Sequence, residues 1–360
     1  MVKEILSQNN LSQTELLENL TAWLQNAAPM LGTPTALQKF SSGQSNPTYK
    51  MQTTVGPDAR FVLRTQPAGV LLKSAHAVDR EYKVMHALKS SAVPVPEMII
   101  ACDDTAVIGR KFFIMREVAG ETIFDPSLSG YEKPQRQALF FAQTDVLAAL
   151  ALIDPAQIGL DGFGKPDGYL DRQMGTWTRQ YRASETDAIS AMEFLIAHLP
   201  ASLDASLDQQ ALPGFCVIHG DFRLDNLLIT QQTDIAALID WELSTLGPAF
   251  IDLSYWSAML RMDAKWPIGG LGCIDRAALN IPHEAALIDR FCQRTGLHRP
   301  ANWEALVAFQ CFRFAAILQG VLKRHQDGNA SADNAAAVGA QAAPVAALGA
   351  DILADYLAQK

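Results

Sequence analysis

The sequence predicts an α+β chain in two unequal parts: a small five-stranded antiparallel sheet with one main helix, then a larger, mostly helical region. Three observations carry this. Residues 35–117 alternate short strand-like runs with turn chemistry around a single helical segment. After Gly120 the apolar period lengthens to about 3.6 residues and dominates the rest of the chain. The 360 residues also exceed what one ordinary core organises.

Residues 11–27 read as an opening helix: Ser12 with Glu15 fits a capping box, and Leu16, Leu17, Leu20, Trp23 and Leu24 form one apolar stripe. A Pro/Gly break follows, so residues 1–34 form an N-terminal helical extension. The runs 36–40, 48–54 and 60–66 are separated by Ser41-Ser42-Gly43 and Gly56-Pro57-Asp58 and read as strands. In the third, Phe61 and Leu63 point to one face, Val62 and Arg64 to the other. A helix is expected over 75–89, then strands over 97–102 and 111–118. In the larger part, 118–360, helices are expected over 134–152, 171–183, 186–198, 248–262, 283–295 and 302–325. A strand pair, 227–230 and 236–239, interrupts them. The alanine-rich stretch from Gly328 to Ala350 reads as a loop leading into a last helix, 345–359.

The net charge of −9 argues against a general nucleic-acid binder. Five cysteines (Cys102, Cys216, Cys273, Cys292 and Cys311), an odd number without a C-x-x-C pair and all in apolar surroundings, suit buried, reduced thiols in a cytoplasmic protein. No uninterrupted apolar run reaches the ~18 residues of a membrane span, so no membrane partner is expected.

The segment from His219 to Asn226 carries the chemistry. Phosphoryl transfer needs an aligned hydroxyl, a carboxylate to take its proton, and Mg²⁺ on the phosphates, and Mg²⁺ prefers hard oxygen ligands. The segment reads H-x-D-x-x-x-x-N, and the apolar run 235–239 ends at Asp240. Asp221 is then the candidate base, and Asn226 and Asp240 the candidate metal ligands. The competing reading is that Asp221 and Asp240 only cap or brace loops. Arg223 and Asp225 receive no chemistry.

These residues resemble the aminoglycoside phosphotransferase and choline kinase branch of the protein-kinase-like superfamily: His219-Gly220-Asp221, Asn226, Ile239-Asp240-Trp241-Glu242, and Pro248 to Asp252-Leu253. The resemblance covers about residues 35–325. It implies a two-lobed protein-kinase-like fold with a nucleotide-binding lobe at 35–117 and a catalytic, acceptor-binding lobe at 118–360. It also implies ATP and Mg²⁺ as cofactors, and His219 and Asp252 as braces of the catalytic loop. Small residues at Ser42, Gly43, Ser45 and Asn46 suit a phosphate-facing turn, although an ordinary polar hairpin explains them as well. Where the family has Lys on the third strand this chain has Arg64, able to hold phosphate bidentately. Glu81 is the matching helix carboxylate, or else part of a solvated face. Met115, Glu117 and Val118 fall at the implied hinge, whose backbone would hold adenine.

The segments 38–49, 74–82, Ile158-Gly159-Leu160 and Gln180-Tyr181 are similar to the kinase-like domain fused to some acyl-CoA dehydrogenases and its stand-alone bacterial relatives. Members of that group are implicated in phosphorylating hydroxyacyl-CoA. The implied partner is a small-molecule hydroxyl acceptor, with a CoA-linked one favoured over an aminoglycoside or another amino-alcohol or sugar. On the segment 171–183, Arg172 and Arg179 fall within roughly 20° of each other, with Arg182 about 80° away. Trp177 and Tyr181 lie among them. A basic, aromatic face there would suit a polyanionic acceptor; a solvated face with Trp177 in the core is the alternative. A protein kinase is disfavoured because Asp-Phe-Gly, Ala-Pro-Glu and G-x-G-x-x-G are absent. A nucleotide-binding pseudokinase is disfavoured by the intact Asp221, Asn226 and Asp240. The oligomeric state is open.

Overall fold

The computed structural model describes residues 11–40, 46–56, 59–67, 78–165, 167–203, 215–329 and 334–360. Contacts divide it into two compact units, Met1–Gly120 with Ala236–Glu242, and Glu121–Ile235 with Leu243–Lys360.

The first unit is built on an antiparallel sheet of β1 (Pro34–Lys39), β2 (Thr48–Thr53), β3 (Phe61–Thr65), β4 (Met98–Cys102) and β5 (Phe112–Arg116), in spatial order β1-β2-β3-β5-β4. Alternation decides its two faces. Leu37, Met51, Phe61, Leu63, Phe112 and Ile114 point to one, where they share a core with Leu16, Leu20 and Leu24 of α1 (Gln13–Ala27). The capping box starts that helix: the Glu15 N–H donates to Ser12 Oγ at 3.3 Å and the Ser12 N–H to Glu15 Oε2 at 2.8 Å. Each of these leucines contributes about 1.5–3 kcal/mol by leaving water. The opposite face carries Thr48, Arg64 and Phe113 in register across β2, β3 and β5, together with α2 (Val78–Leu88).

The segment Ala236–Glu242 packs with this unit. The Leu238 N–H donates to the Pro94 carbonyl at 2.8 Å. Trp241 is fully buried, with Nε1 donating to the Leu238 carbonyl at 2.9 Å. These anchors hold Asp240, whose backbone adopts the left-handed φ of 65°. The sequence missed the short helix α3 (Thr105–Ile108) between β4 and β5, N-capped by Asp104.

The second unit surrounds α9 (Trp303–Gln326), buried almost all round from Trp303 to Gln319. Against it pack α5 (Tyr169–Ser184), α6 (Ser190–Ser202), α7 (Phe250–Arg261) and α11 (Ala342–Ala358). The unit also holds α4 (Lys133–Ala151) and α8 (Glu284–Thr295), which pack on each other. The alanine-rich tail departs from its expected loop. It forms α10 (Ala335–Gly339) and α11, which begins before the expected residue 345. Alanine is the best helix former, and small residues let α11 approach the core helix: a Cβ at Gly349 would lie 2.7 Å from the Cys311 Cβ.

Two strands escaped sequence reading, β6 (Cys216–Ile218) and β7 (Thr245–Gly247), which pair antiparallel; three residues are too few to display alternation. By length and composition the helices Trp303–Gln326 and Ala335–Ala358 are apolar enough to cross a membrane, but the first is mostly buried inside the unit. All five cysteines are free. Cys102, Cys216 and Cys311 are buried, Cys292 is half-buried, and Cys273 is exposed, against the expectation of an apolar surrounding for every one.

Candidate active site

The second unit presents the segment 219–226 at the end of β6. The His219 ring is wholly buried, and its Nδ1 accepts from the Asp221 N–H at 3.2 Å. The backbone N–H groups of His219 and Gly220 donate to the two oxygens of Asp252, at 2.6 and 2.8 Å. Asp252 opens α7 and is buried. Burial pushes its carboxyl up, while the nearby His219, the two N–H groups and Arg313 pull the other way. Gly220 takes φ 83°, and a Cβ there would sit 2.6 Å from the Leu243 carbonyl oxygen. Only glycine fits this turn.

The turn delivers the Asp221 carboxylate between two neutral donors. Tyr255 Oη donates to Oδ1 at 2.6 Å. Asn226 Nδ2 donates to Oδ2 at 3.1 Å and to the Asp221 carbonyl at 2.9 Å. A single 3₁₀ turn, Leu224–Asn226, brings the asparagine back over the aspartate. Its amide nitrogen is spent on Asp221, which leaves its oxygen as the atom able to ligate a metal. Arg223 pairs bidentately with Asp225 through its Nε–Nη2 edge. Burial opposes its charge, yet Asp225 holds the guanidinium above its ordinary range. The segment's own arginine is therefore already occupied.

Two residues were missed by sequence reasoning. Tyr255 lies three residues after Asp252, on the same helix face. Burial, then the adjacent Asp221 charge, pushes its phenol well above the usual range, so it is a donor only. Arg313 is a buried cation whose Nη2 donates to the Gly220 carbonyl at 2.5 Å. Its guanidinium lies 5.1 Å from the Tyr255 ring centroid and 5.4 Å from that of Trp177. The signal available was a lone charge in the apolar run 305–318, since a buried charge requires partners.

In the first unit Arg64 bridges two carboxylates, Nε to Glu81 Oε2 at 2.8 Å and Nη2 to Asp240 Oδ1 at 2.6 Å. Glu81 is thus part of a buried pair and not of a solvated face. Burial pushes its carboxyl up to about 7, with Arg64 pulling against it. Burial likewise works against the Arg64 charge, but Glu81, then Asp240, hold it above its usual range.

Ser42, Gly43 and Ser45 lie outside the described residues. Asn46 is buried, and neither Oδ1 nor Nδ2 has a hydrogen-bond partner. At the expected hinge, Met115 sits inside the ladder between Val62 and Met98. The Glu117 N–H donates to the Arg60 carbonyl at 2.9 Å and its side chain pairs with Lys50 at 2.9 Å. The sheet thus takes up the Glu117 N–H and holds Met115 within its ladder. Val118, which follows, is half-buried.

The expected basic, aromatic face on α5 does not form as drawn. Tyr181 is fully buried. Arg182 is paired with Glu193 and, at 3.5 Å, with Glu185. Arg172 donates to the Lys165 carbonyl, and Arg179 to Thr176 Oγ1 at 3.2 Å. Trp177 donates Nε1 to Gln173 at 2.8 Å and stacks under Arg313. Angular spacing could not reveal that acidic partners arrive from α6 and from the helix's own end. Among the described residues no cluster of three or more His, Cys, Asp or Glu side chains forms a metal site.

The phosphotransferase enzyme family, APH, matches residues 36–309. Acyl-CoA dehydrogenase family member 10 of Mus musculus is 42% identical over 312 residues, covering 85% of this chain and 28% of the relative. Acyl-CoA dehydrogenase family member 11 of Rattus norvegicus is 35% identical over 337 residues, covering 92% of this chain and 42% of the relative. The chain thus spans less than half the length of these curated relatives. Among solved structures, a candidate aminoglycoside phosphotransferase from Ralstonia eutropha superposes with a TM-score of 0.84 at 38% identity, covering 94% of this chain and 98% of the other. The aminoglycoside phosphotransferase APH(4)-Ia, solved with ADP and hygromycin B, superposes at 0.60 with 16% identity over 92% of this chain and 99% of the other, a likeness of fold alone. The fold is protein-kinase-like, and with most of its length inside one family model the chain belongs to the APH phosphotransferase family.

Proposed function

We propose that this protein transfers the γ-phosphoryl group of ATP to the hydroxyl of a small molecule. The observation that carries the reading is the Asp221 carboxylate, held at the tip of a braced turn with Asn226 folded back onto it. Asp221 accepts the hydroxyl proton as the acceptor oxygen bonds to the γ-phosphorus and the bond to the ADP oxygen breaks. Positioning dominates such catalysis, because the protein supplies little covalent chemistry.

Each of the two expected ligands offers Mg²⁺ a hard oxygen, the Asn226 amide in the second unit and the Asp240 carboxylate in the first. Two protein ligands are few, as expected for an ion that arrives with phosphates. When bound, the metal neutralises charge on the phosphate oxygens. Arg64 anchors Asp240 and offers a guanidinium to the nucleotide phosphates.

For the acceptor, the names of the curated relatives support a CoA-linked hydroxyl compound. The solved structure with hygromycin B supports an aminoglycoside. The pairing of Arg182 with Glu193 removes one argument for a polyanion, so the favoured reading rests on the relatives alone. The test is ADP release over a panel of hydroxyacyl-CoAs, aminoglycosides and choline, alongside the shift in melting temperature with Mg·ATP. A rise in melting temperature with turnover on one acceptor class is expected. No shift with Mg·ATP defeats the nucleotide reading altogether.

A further inference from the structure

We infer that Tyr255, backed by Arg313, is a positioning residue that fixes the rotational state of the Asp221 carboxylate, and hence which lone pair faces the acceptor hydroxyl. The inference rests on the reading of Asp221 as the base.

A carboxylate on a turn can rotate about its own axis, and a base that rotates loses alignment with its proton. Of the two carboxylate oxygens Asn226 reaches only Oδ2, with the longer of the two contacts, at 3.1 Å, so one neutral donor on one oxygen leaves the other oxygen unheld. The 2.6 Å bond from Tyr255 Oη to Oδ1 is the short one and is made to a charged acceptor. Together the two donors reach one oxygen each, and the plane of the carboxylate is set.

Tyr255 is itself immobilised. Its side chain is 2% exposed and belongs to α7, the helix whose first turn holds Asp252 under the same segment. Arg313 then lies over its ring and donates to the Gly220 carbonyl, one residue before Asp221. A single buried cation thus touches the turn backbone on one side and the donor's aromatic ring on the other, with Trp177 as its second aromatic partner. A cation over the ring also draws electron density from the phenol and strengthens its O–H as a donor. Structural support of the turn does not require this chain, since Asp252 already binds the His219 and Gly220 amides. What Tyr255 adds is contact with the carboxylate itself.

The test is a double-mutant cycle with Tyr255→Phe and Asp221→Asn, on whichever acceptor the panel identifies. Tyr255→Phe keeps the ring and the Arg313 contact. Its kcat is expected to fall roughly 10–100-fold with KM for ATP unchanged, and the ratio of ATP hydrolysed to acceptor phosphorylated to rise. In the Asp221→Asn background the same change is expected to have no further effect. Additive losses, or an unchanged kcat in the single variant, overturn the proposal, whereas a fully active Asp221→Asn enzyme overturns the base reading beneath it. A readout that needs no acceptor is the crystal structure of Tyr255→Phe: the Asp221 carboxylate is expected to turn away from its wild-type plane, and an unmoved carboxylate defeats the proposal. Arg313→Lys is expected to retain more kcat than Arg313→Met at equal melting temperature, and equal kcat in the two removes Arg313 from the chain.

Discussion

Asp221 and Asp240 are held in opposite ways. In the first unit Asp240 is tied to a fixed cation, Arg64, which also binds the buried Glu81. In the second unit, among the described residues, the Asp221 carboxylate receives neutral donors, a phenol and an amide, while the arginine two residues away is turned onto Asp225. Under the proposed function, a carboxylate that ligates a cation can be stored beside one, because a metal and its phosphates would compete for the same charges. A carboxylate meant to accept a proton is better held by donors that orient it and leave its negative charge uncancelled. The same residue type is thus suited to two roles by its partners.

The sharpest way to break this contrast is to remove the charge from the neutral-donor site. Asp221→Asn keeps the shape and both neighbours but cannot take a proton, so turnover is expected to fall roughly 10²–10⁴-fold. Isothermal titration of ATP is expected to give near wild-type affinity, since under the proposed function Asp221 meets the acceptor hydroxyl and not the nucleotide. Unchanged turnover would place Asp221 with the loop braces and erase the distinction.

The complementary change removes the cation from the other site. Arg64→Met leaves Glu81 buried without a partner and is expected to cost about 3–5 kcal/mol in urea unfolding at pH 8. Arg64→Lys is expected to recover part of this, because a point charge reaches one carboxylate where the guanidinium reaches two. The pH dependence has a definite sign. The folded Glu81 carboxyl sits at about 7, above its ordinary 4.5. Its contribution to stability is therefore full below 4.5 and is lost as pH rises through 7. An acid limb in place of this alkaline one would show that the Arg64 charge, and not burial, controls the pair.

Much of this contrast could be read from the chain before any coordinates. Asp221, Asn226 and Asp240 announce themselves by spacing within short segments, and Arg64 by its place on an alternating strand. The five strands and main helix of the small sheet were legible for the same reason, since their signals are local. Tyr255 and Arg313 were not, because their roles depend on which helices meet. Residue 313 reaches residue 220 only through the packing of α9 behind the turn. The Arg172–Arg182 face failed for a related reason. A helical angle says which residues share a side, not whether that side is buried, as Tyr181 is, or met by an opposing Glu193. The alanine-rich tail differs from the expected loop before a helix at 345, because low complexity hides that small residues are what close packing on α9 uses.

A partly exposed charge cluster in the second unit gives the smallest and most discriminating effect. Asp145 on α4 is gripped by Arg290 at 2.6 Å and Arg294 at 3.1 Å on α8. Burial pushes its carboxyl up, but the two arginines hold it net below its ordinary 3.8. Its contribution is therefore present above 3.8 and disappears as pH falls through the lower folded value, the reverse of Glu81. The group is about a third exposed, so solvent screens the gain, and Asp145→Asn is expected to cost only about 0.5–1 kcal/mol. Thermal unfolding from pH 3 to 8 separates the two signs: Asp145→Asn is expected to flatten only the acid limb and Arg64→Met to change only the alkaline one. If Asp145→Asn alters the alkaline limb instead, the charges of this protein are coupled through its overall field, and partner chemistry alone does not distinguish Asp221 from Asp240.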